Sequence, residues 1–421
     1  MQNHQSLVIG LFGFGVVGEG LYTALAKTPS LNGRIKKICI RDIRKKRNAP
    51  EELFTTDKNV LLNDPEINVI VEVISDADAA FEIVRTALLG GKEVVSASKK
   101  MIAENFTELL RLQRETGRSF LYEAAAGASI PIIRNLEEYY DNDLLHSMRA
   151  VVNGSTNFIL TKMFEERVGF REALLVAQQL GFAESDPSLD VLGLDAANKW
   201  SFLLTHAYGI QTGPGGFLFN GIQDIDAADA AVAAEKNCAI RLVAQARKLE
   251  NGDVAAFVLP QMVRPADPLA FVRNEYNGVV IESGFADRQF FYGKGAGSLP
   301  TASAVLSDLS ALRYGYRYEY KKLYHHRPLA LTNDFYLRAY ISFNDWHDAP
   351  RAKPAWVEEW HGGTQRKFIV CAIHASQLAG TWWKENGVSL ILAPDAFVTP
   401  EDIAAAGEKN VWLRDSPLEL N

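Results

Sequence analysis

The run SLVIGLFGFGVVG, residues 6–18, constrains this chain more than any other stretch. An apolar segment breaks into Gly13-x-Gly15-x-x-Gly18, and a helical stretch, EGLYTALAK, follows at once. Gly13 permits a tight turn, Gly15 lets the backbone approach a pyrophosphate, and Gly18 lets helix pack on strand. The N–H groups from Phe14 through Val16 and Val17 then face the phosphates at the new helix start. A second apolar strand, KKICI, ends at Arg41-Asp42. That lies roughly 20 residues past the glycines, where an acid takes the adenine ribose hydroxyls. Arg44, Lys45, Lys46 and Arg47 follow it. Those charges either accept a 2′-phosphate or solvate a loop, so the reading is NAD(P), tipped toward NADP.

The rest of the first third repeats the strand–helix alternation. NVIVEVI (68–74), KEVVSA (92–97) and SFLYEAA (119–125) read as strands, separated by helices at 78–90 and 104–117. Such alternation predicts a doubly wound, mostly parallel sheet of Rossmann type, with its ligand crevice at the strand ends. From about residue 130 the pattern changes. A helix opening at Pro131, a strand at 144–153, helices at 157–166 and 170–180 and a long helix around 227–250 precede strands at 254–260, 277–283 and 288–292. The fold class is α/β: a dinucleotide-binding domain over 1–129, completed by the returning helix at 300–324, and an α+β substrate domain over 130–299, to which the resemblance given below adds dimerisation. A small C-terminal module over 325–421 follows.

Composition excludes several classes. At 421 residues the chain is long enough for two or three domains, and its 48% hydrophobic and 23% charged content is that of globular proteins. A net charge of −7 argues against nucleic acid or an anionic membrane as partner. MQNHQ has no basic region, so no secretory leader is expected. Cys39, Cys238 and Cys371 are far apart, which fits a reducing cytoplasm and neither a metal pattern nor a disulfide framework.

The segment GFAESDPSLDVLGLDAANK, 181–199, carries the chemistry. It gathers Glu184, Asp186, Asp190 and Asp195 ahead of Lys199. Asp195 and Lys199 stand four apart in a helical run, so their side chains share one face. A lysine held beside a carboxylate in a partly desolvated cleft is a good proton carrier for a substrate hydroxyl. The neighbouring acids suit the ammonium of an amino acid. An exposed ion pair on an ordinary helix is the competing reading.

With these residues in place, the chain resembles a homoserine dehydrogenase over roughly residues 6–315. Besides the glycine turn, Ser98-Lys99-Lys100 is similar to the family's Asn-Lys element. Glu123 to Pro131 resembles its E-x-x-x-G-x-x-x-P stretch, and Asn153-Gly-Ser-Thr-Asn157 its NGTTN loop. Residues 181–199 are similar to its G-[YF]-x-E-x-D-P…D…G-x-D-x-x-x-K signature, and Gly295 to Ala302 to its GAGxxPTA element.

The resemblance implies NAD(P)-dependent interconversion of L-homoserine and L-aspartate 4-semialdehyde, within threonine and methionine biosynthesis. Lys199 would be the acid/base and Asp195 its orienting partner. Glu184 would take the substrate's amino group beside Asp190, and Gly154 and Ser155 would line the substrate site. Lys99 would stand where nicotinamide and substrate meet, as a second proton-transfer candidate. Ser75, Gly181, Gly295 and Gly297 would join the cofactor contacts. A monovalent cation, typically sodium, maps to Glu123 and the carbonyls of Ala126, Ala128 and Ile130. A homodimer or higher symmetric oligomer is implied, built on the substrate domain, whose apolar strands at 254–260 and 278–283 offer more nonpolar surface than a small domain covers.

Two departures stand out: Ser98 replaces the usual asparagine, and Ser75-Asp76 replaces a Gly-Gly or hydroxyl-rich turn. A related dehydrogenase acting on another small amino or hydroxy acid, and a non-catalytic dinucleotide-binding subunit, remain the alternatives. The tail holds six of the seven tryptophans, Trp346, Trp356, Trp360, Trp382, Trp383 and Trp412. With strands at 335–343, 367–373 and 388–393 and a helix at 374–385, it reads as a separate divergent ACT-like module. His325, His326 and His347 have no metal-ligand spacing.

Overall fold

The computed structural model describes residues 6–142, 144–325, 327–346, 352–362, 367–380, 382–384 and 387–406. His326, His347 and Trp412 lie outside them. The chain divides into two compact units. One comprises Met1–Asp143, Ser201–Gly213 and Gly293–Pro328; the other comprises Leu144–Trp200, Pro214–Tyr292 and Leu329–Asn421.

The first unit is built on six strands: β1 (Leu7–Phe12), β2 (Gly33–Cys39), β3 (Phe54–Thr55), β4 (Val69–Glu72), β5 (Glu93–Ser96) and β6 (Phe120–Leu121). All pairs are parallel, in the order β3-β2-β1-β4-β5-β6. That is the dinucleotide-binding order, and its direction reverses between β1 and β4, where the crevice opens. The strands read as near-continuous apolar runs because helices cover both faces. Ile9, Leu11, Ile70, Val71, Val94 and Val95 are all fully buried. The strand expected over 119–125 is shorter, because Glu123–Ala126 turns into one helical turn. Ser298, opening the helix Ser298–Leu312, donates its hydroxyl to the Val16 carbonyl (2.8 Å). A Cβ on Gly20 would stand 2.5 Å from that same hydroxyl, so the close approach needs glycine.

The second unit carries a mostly antiparallel sheet. Its strands are β7 (Leu145–Val151), β8 (Leu218–Phe219), β9 (Ala239–Lys248), β10 (Val254–Val263), β11 (Tyr276–Ser283), β12 (Asp287–Lys294), β13 (Leu331–Thr332), β14 (Tyr336–Phe343), β15 (Trp356–Gly362), β16 (Lys367–His374) and β17 (Val388–Val398). The main order is β12-β11-β7-β9-β10-β17-β14-β16-β15. β9 corrects the long helix expected around 227–250. The helix spans only Ala227–Glu235, opened by a reciprocal capping box between Asp226 and Asp229. Asn237, at φ +53°, turns the chain out of it. Residues 239–248 then pair with β10 along their whole length and with β7 on the other side. Pairing on both edges overrides the helix preference of an alanine-rich segment.

The tail also differs from expectation. Its strands do not stand apart from residue 325: β13 and β17 both pair with β10. Ala255, Phe257 and Leu259 share one core with Phe335, Leu337, Ile341 and Trp383. The strands expected to be uncovered, 254–260 and 278–283, are therefore largely buried within the chain itself, β10 throughout. Apart from the short β13, the order β17-β14-β16-β15 sets the tail's last strand beside the first, third and second of its other strands, the strand order of a split βαββαβ module. The helix expected at 374–385 is replaced by 3₁₀ turns at Ala375–Ala379 and Trp382–Lys384. Among the described residues no helix is long and apolar enough to cross a membrane.

Candidate active site

Asp190, Asp195 and Lys199 are assembled around one asparagine. β7 runs out through Val152 into Asn153, which caps the helix Gly154–Glu165 by accepting the Thr156 N–H on Oδ1 (2.8 Å). Its amide Nδ2 donates to Asp190 Oδ1 (2.6 Å) and to Asp195 Oδ2 (2.8 Å). Lys199 Nζ lies 2.8 Å from that same Asp195 oxygen and donates to the Val152 carbonyl. Lys199 is only 4% exposed. Its ammonium is thus held out of water by a carboxylate and a backbone carbonyl, which offset its desolvation. Asn153 opens the NGTTN-like loop, but reading by motif gave its side chain no part in the site. Its signal is an N-cap amide with donors left over for the two acids.

Backbone close approaches hold this arrangement. A Cβ on Gly154 would meet the Glu275 carbonyl oxygen at 2.7 Å. Gly193, at φ +79°, sits where a Cβ would be 2.8 Å from the Asn220 carbonyl, and it separates the turn Ser188–Val191 from the helix Leu194–Tyr208. Ser155 donates its hydroxyl to the Phe182 carbonyl (2.6 Å), tying the 181–184 loop to the helix start. Asn157 donates to the carbonyls of Asn274 (2.9 Å) and Tyr276 (3.1 Å).

The four acids separate by role. Asp190 and Asp195 converge on Asn153. Asp186 accepts from the Ser188 N–H (3.1 Å) and hydroxyl (2.5 Å), which hold its carboxyl below the usual range. Glu184 is exposed, with its backbone carbonyl taking the Gln178 amide (2.9 Å). Gly181, at φ +77°, ends the helix Phe170–Gln179 in this unit.

In the first unit the glycines occupy distinct spaces. Gly13, at φ +99°, passes so close to the Val73 carbonyl that a Cβ would be 2.9 Å from its oxygen. A Cβ on Gly18 would be 2.2 Å from the Gly13 oxygen, whereas Gly15 faces open space. Val16 is exposed and Val17 half-buried at the helix start, while the Phe14 ring packs edge-on against Tyr22 and Phe54. Asp42 Oδ1 accepts from the Arg44 backbone (3.0 Å) and guanidinium (3.2 Å), which lower its pKa. Asp76, the acid of the departing turn, caps the helix Ala77–Leu89 through the Ala79 N–H (3.0 Å) and faces Arg41 at 3.7 Å. Ser75 is exposed. Half-buried Lys99 is the first residue of the helix Lys99–Thr116, and Gly297, at φ +117°, precedes the helix Ser298–Leu312 two residues after half-buried Gly295.

The residues named for a cation form a buried turn. Ala126, Ala128 and Ile130 are all buried, with Ala128 at φ +46°. Glu123 accepts the N–H groups of Ile133 (2.7 Å) and Arg134 (3.0 Å), and its own N–H donates to Asp308 Oδ2 (2.9 Å). Burial pushes both carboxyls up. Asp308 Oδ1 is buried without a hydrogen-bond partner.

Comparison with known proteins points to one family. The family described as "Homoserine dehydrogenase, NAD binding domain" matches residues 13–123, and "Homoserine dehydrogenase" matches 131–310. The chain is 35% identical over 317 residues to the homoserine dehydrogenase of Bacillus subtilis, covering 73% of each chain. It is 37% identical over 311 residues to that of Synechocystis sp., covering 72% of each. Among solved structures, a homoserine dehydrogenase from Thiobacillus denitrificans superposes with a TM-score of 0.80 at 26% identity, over 92% of this chain and 98% of that one. A hyperthermophilic archaeal homoserine dehydrogenase in complex with NADPH gives 0.63 at 28% identity, over 75% of this chain and 99% of that one.

Proposed function

This chain belongs to the homoserine dehydrogenase family, and we propose that it interconverts L-homoserine and L-aspartate 4-semialdehyde with Lys199 as acid/base. When bound, NAD(P) supplies the redox step at C4 of its nicotinamide. As hydride leaves the substrate carbon, the hydroxyl proton must leave too, and Lys199 in its neutral form accepts it. Asp195 orients the lysine, and Asn153 fixes Asp195 and Asp190 relative to each other. The buried Lys199–Asp195–Asn153 chain is the observation that carries this reading, because a surface ion pair would need no amide to place it.

Glu184 and Asp190 take the substrate ammonium, Glu184 from its exposed loop. Gly154 and Ser155 line the same pocket. Lys99 is the second proton-transfer candidate. In the dinucleotide domain, Gly13 to Gly18, Arg41, Asp42, Ser75, Gly295 and Gly297 hold the cofactor, joined by Gly181. The basic run around Asp42 supports NADP over NAD, since Arg44 already engages that carboxylate. Sodium at Glu123, Ala126, Ala128 and Ile130 is supported by the partnerless Asp308 oxygen, because a cation there would neutralise two buried acids. A homodimer on the second unit is supported by Phe285, 90% exposed at the β11–β12 turn, and by Phe271, 64% exposed. Three free cysteines fit a cytoplasmic enzyme.

The test is turnover of purified protein with NADPH or NADH and aspartate 4-semialdehyde, followed by loss of the reduced cofactor's absorbance. Rapid oxidation is expected. Oxidation only with another carbonyl compound would make it a related dehydrogenase, and cofactor binding without turnover a non-catalytic subunit.

A further inference from the structure

Glu72 is the last residue of β4 and is fully buried, among Val69, Ile70 and Val71 on the same strand. A buried carboxylate is costly, and an apolar residue would complete the strand as well as its neighbours do. Both oxygens of Glu72 are engaged, each in a different turn. Oε1 accepts the Ile74 N–H (2.7 Å), in the turn that leads to Ser75 and Asp76. Oε2 accepts the Ser96 hydroxyl (2.6 Å) at the end of β5. Ser96 Oγ in turn accepts the Ser98 N–H (3.1 Å), immediately before Lys99. On its other side β4 is joined to the glycine turn, since the Val73 N–H donates to the Phe12 carbonyl (2.9 Å).

We propose that Glu72 is a positioning residue for the reaction: its carboxylate ties the turns after β4 and β5 together and so sets the rim of the dinucleotide crevice on which Ser75 and Lys99 stand. The inference rests on reading the first unit as dinucleotide-binding. Both turns lie at the carboxyl ends of strands beside the point where the strand order reverses, which is where such sheets bind their ligand. A neutral carboxyl does the same work less well. The anion accepts charge-assisted hydrogen bonds from both donors, whereas the protonated acid keeps the Ser96 link only by reversing it, its O–H donating to Ser96 Oγ, and its other oxygen becomes a weaker acceptor for the Ile74 N–H. Burial raises the Glu72 pKa to about 7. The groups around it from β1, β4 and β5 are Phe12, Ile74, Ser96 and Ala97, none of which titrates.

The experiment is NADPH affinity, read by nicotinamide fluorescence on the full-length protein, for wild type, Glu72→Gln and Ser96→Ala at pH values either side of about 7. Wild type should bind more weakly as pH falls through that point. Glu72→Gln should bind about tenfold more weakly above it, the effect of one lost hydrogen bond to a charged group, and show no pH slope. Ser96→Ala, which keeps the charge and removes both the Ser96–Glu72 bond and the onward link to Ser98, should also weaken binding and guards against a Glu72→Gln protein that fails to fold. A Glu72→Gln or Ser96→Ala protein with wild-type affinity and slope would overturn the proposal, as would a lowered melting temperature with unchanged affinity. Wild type that binds no NADPH would instead remove the dinucleotide reading on which it rests.

Discussion

Lys199 and Lys99 are both proton-transfer candidates, yet the chain places them by different means. Lys199 is buried and held at two points, by Asp195 and the Val152 carbonyl, with Asn153 fixing Asp195 in turn. Lys99 is half-buried at the first position of its helix, where the positive end of the helix dipole disfavours a second positive charge. Its place follows from the backbone turn that Ser96 and Glu72 hold. The first lysine is thus placed by side-chain and carbonyl contacts deep in its own unit, whereas the second stands at a helix start whose position the preceding turn sets.

That contrast can be broken by substitution. Lys199→Ala should lower kcat by at least ~100-fold, the lower end for general acid–base catalysis, with cofactor affinity nearly unchanged. Steady-state kinetics beside a fluorescence titration would check both. Asn153→Ala frees two carboxylates at once, so kcat should fall roughly tenfold or more, and loss of the cap should cost about 1 kcal/mol in denaturant unfolding. Unchanged kcat would mean that Asp195 holds its place without the amide.

Glu184→Gln should raise KM for homoserine by roughly tenfold to a hundredfold, the ~1.5–3 kcal/mol range for a charged hydrogen bond, and leave KM for NAD(P) alone. Equal rises in both would make Glu184 a folding residue. The tail supplies the smallest effect on chemistry. Trp383, fully buried with its indole N–H on the Leu378 carbonyl (2.8 Å), anchors the core shared with β10. Trp383→Ala should destabilise by about 3–5 kcal/mol, seen in thermal melts, with both Michaelis constants unchanged.

The parts that could be read in advance are those whose causes are local. The glycine turn follows from three residues and the strand and helix beside them, and the structure reproduces its spacing in space. The Asp195 and Lys199 pair follows from helical periodicity alone. Asn153 was illegible because its partners lie 37 and 42 residues away, and only the fold brings them within reach. Residues 239–248 were misread as helix for the same reason, since β7 and β10 decide their conformation. Asp76, the acid of the departing turn, is a helix cap facing Arg41, and an acid three residues before a helical N–H is the signal that marks it. The tail's place in the second sheet rests on strand pairing that no local pattern encodes.

Both lysines could pass the proton, and the proposed role of Lys199 requires that Lys99 not do so. Its most direct test is the primary deuterium isotope effect on kcat, measured with NADPH deuterated at the transferred C4 position, for wild type, Lys199→Ala and Lys99→Ala. Lys199→Ala should lose turnover and express a larger isotope effect, because chemistry becomes rate-limiting, while Lys99→Ala should change less in both. A Lys199→Ala enzyme with wild-type turnover and isotope effect, beside a Lys99→Ala enzyme in which both change, would contradict it.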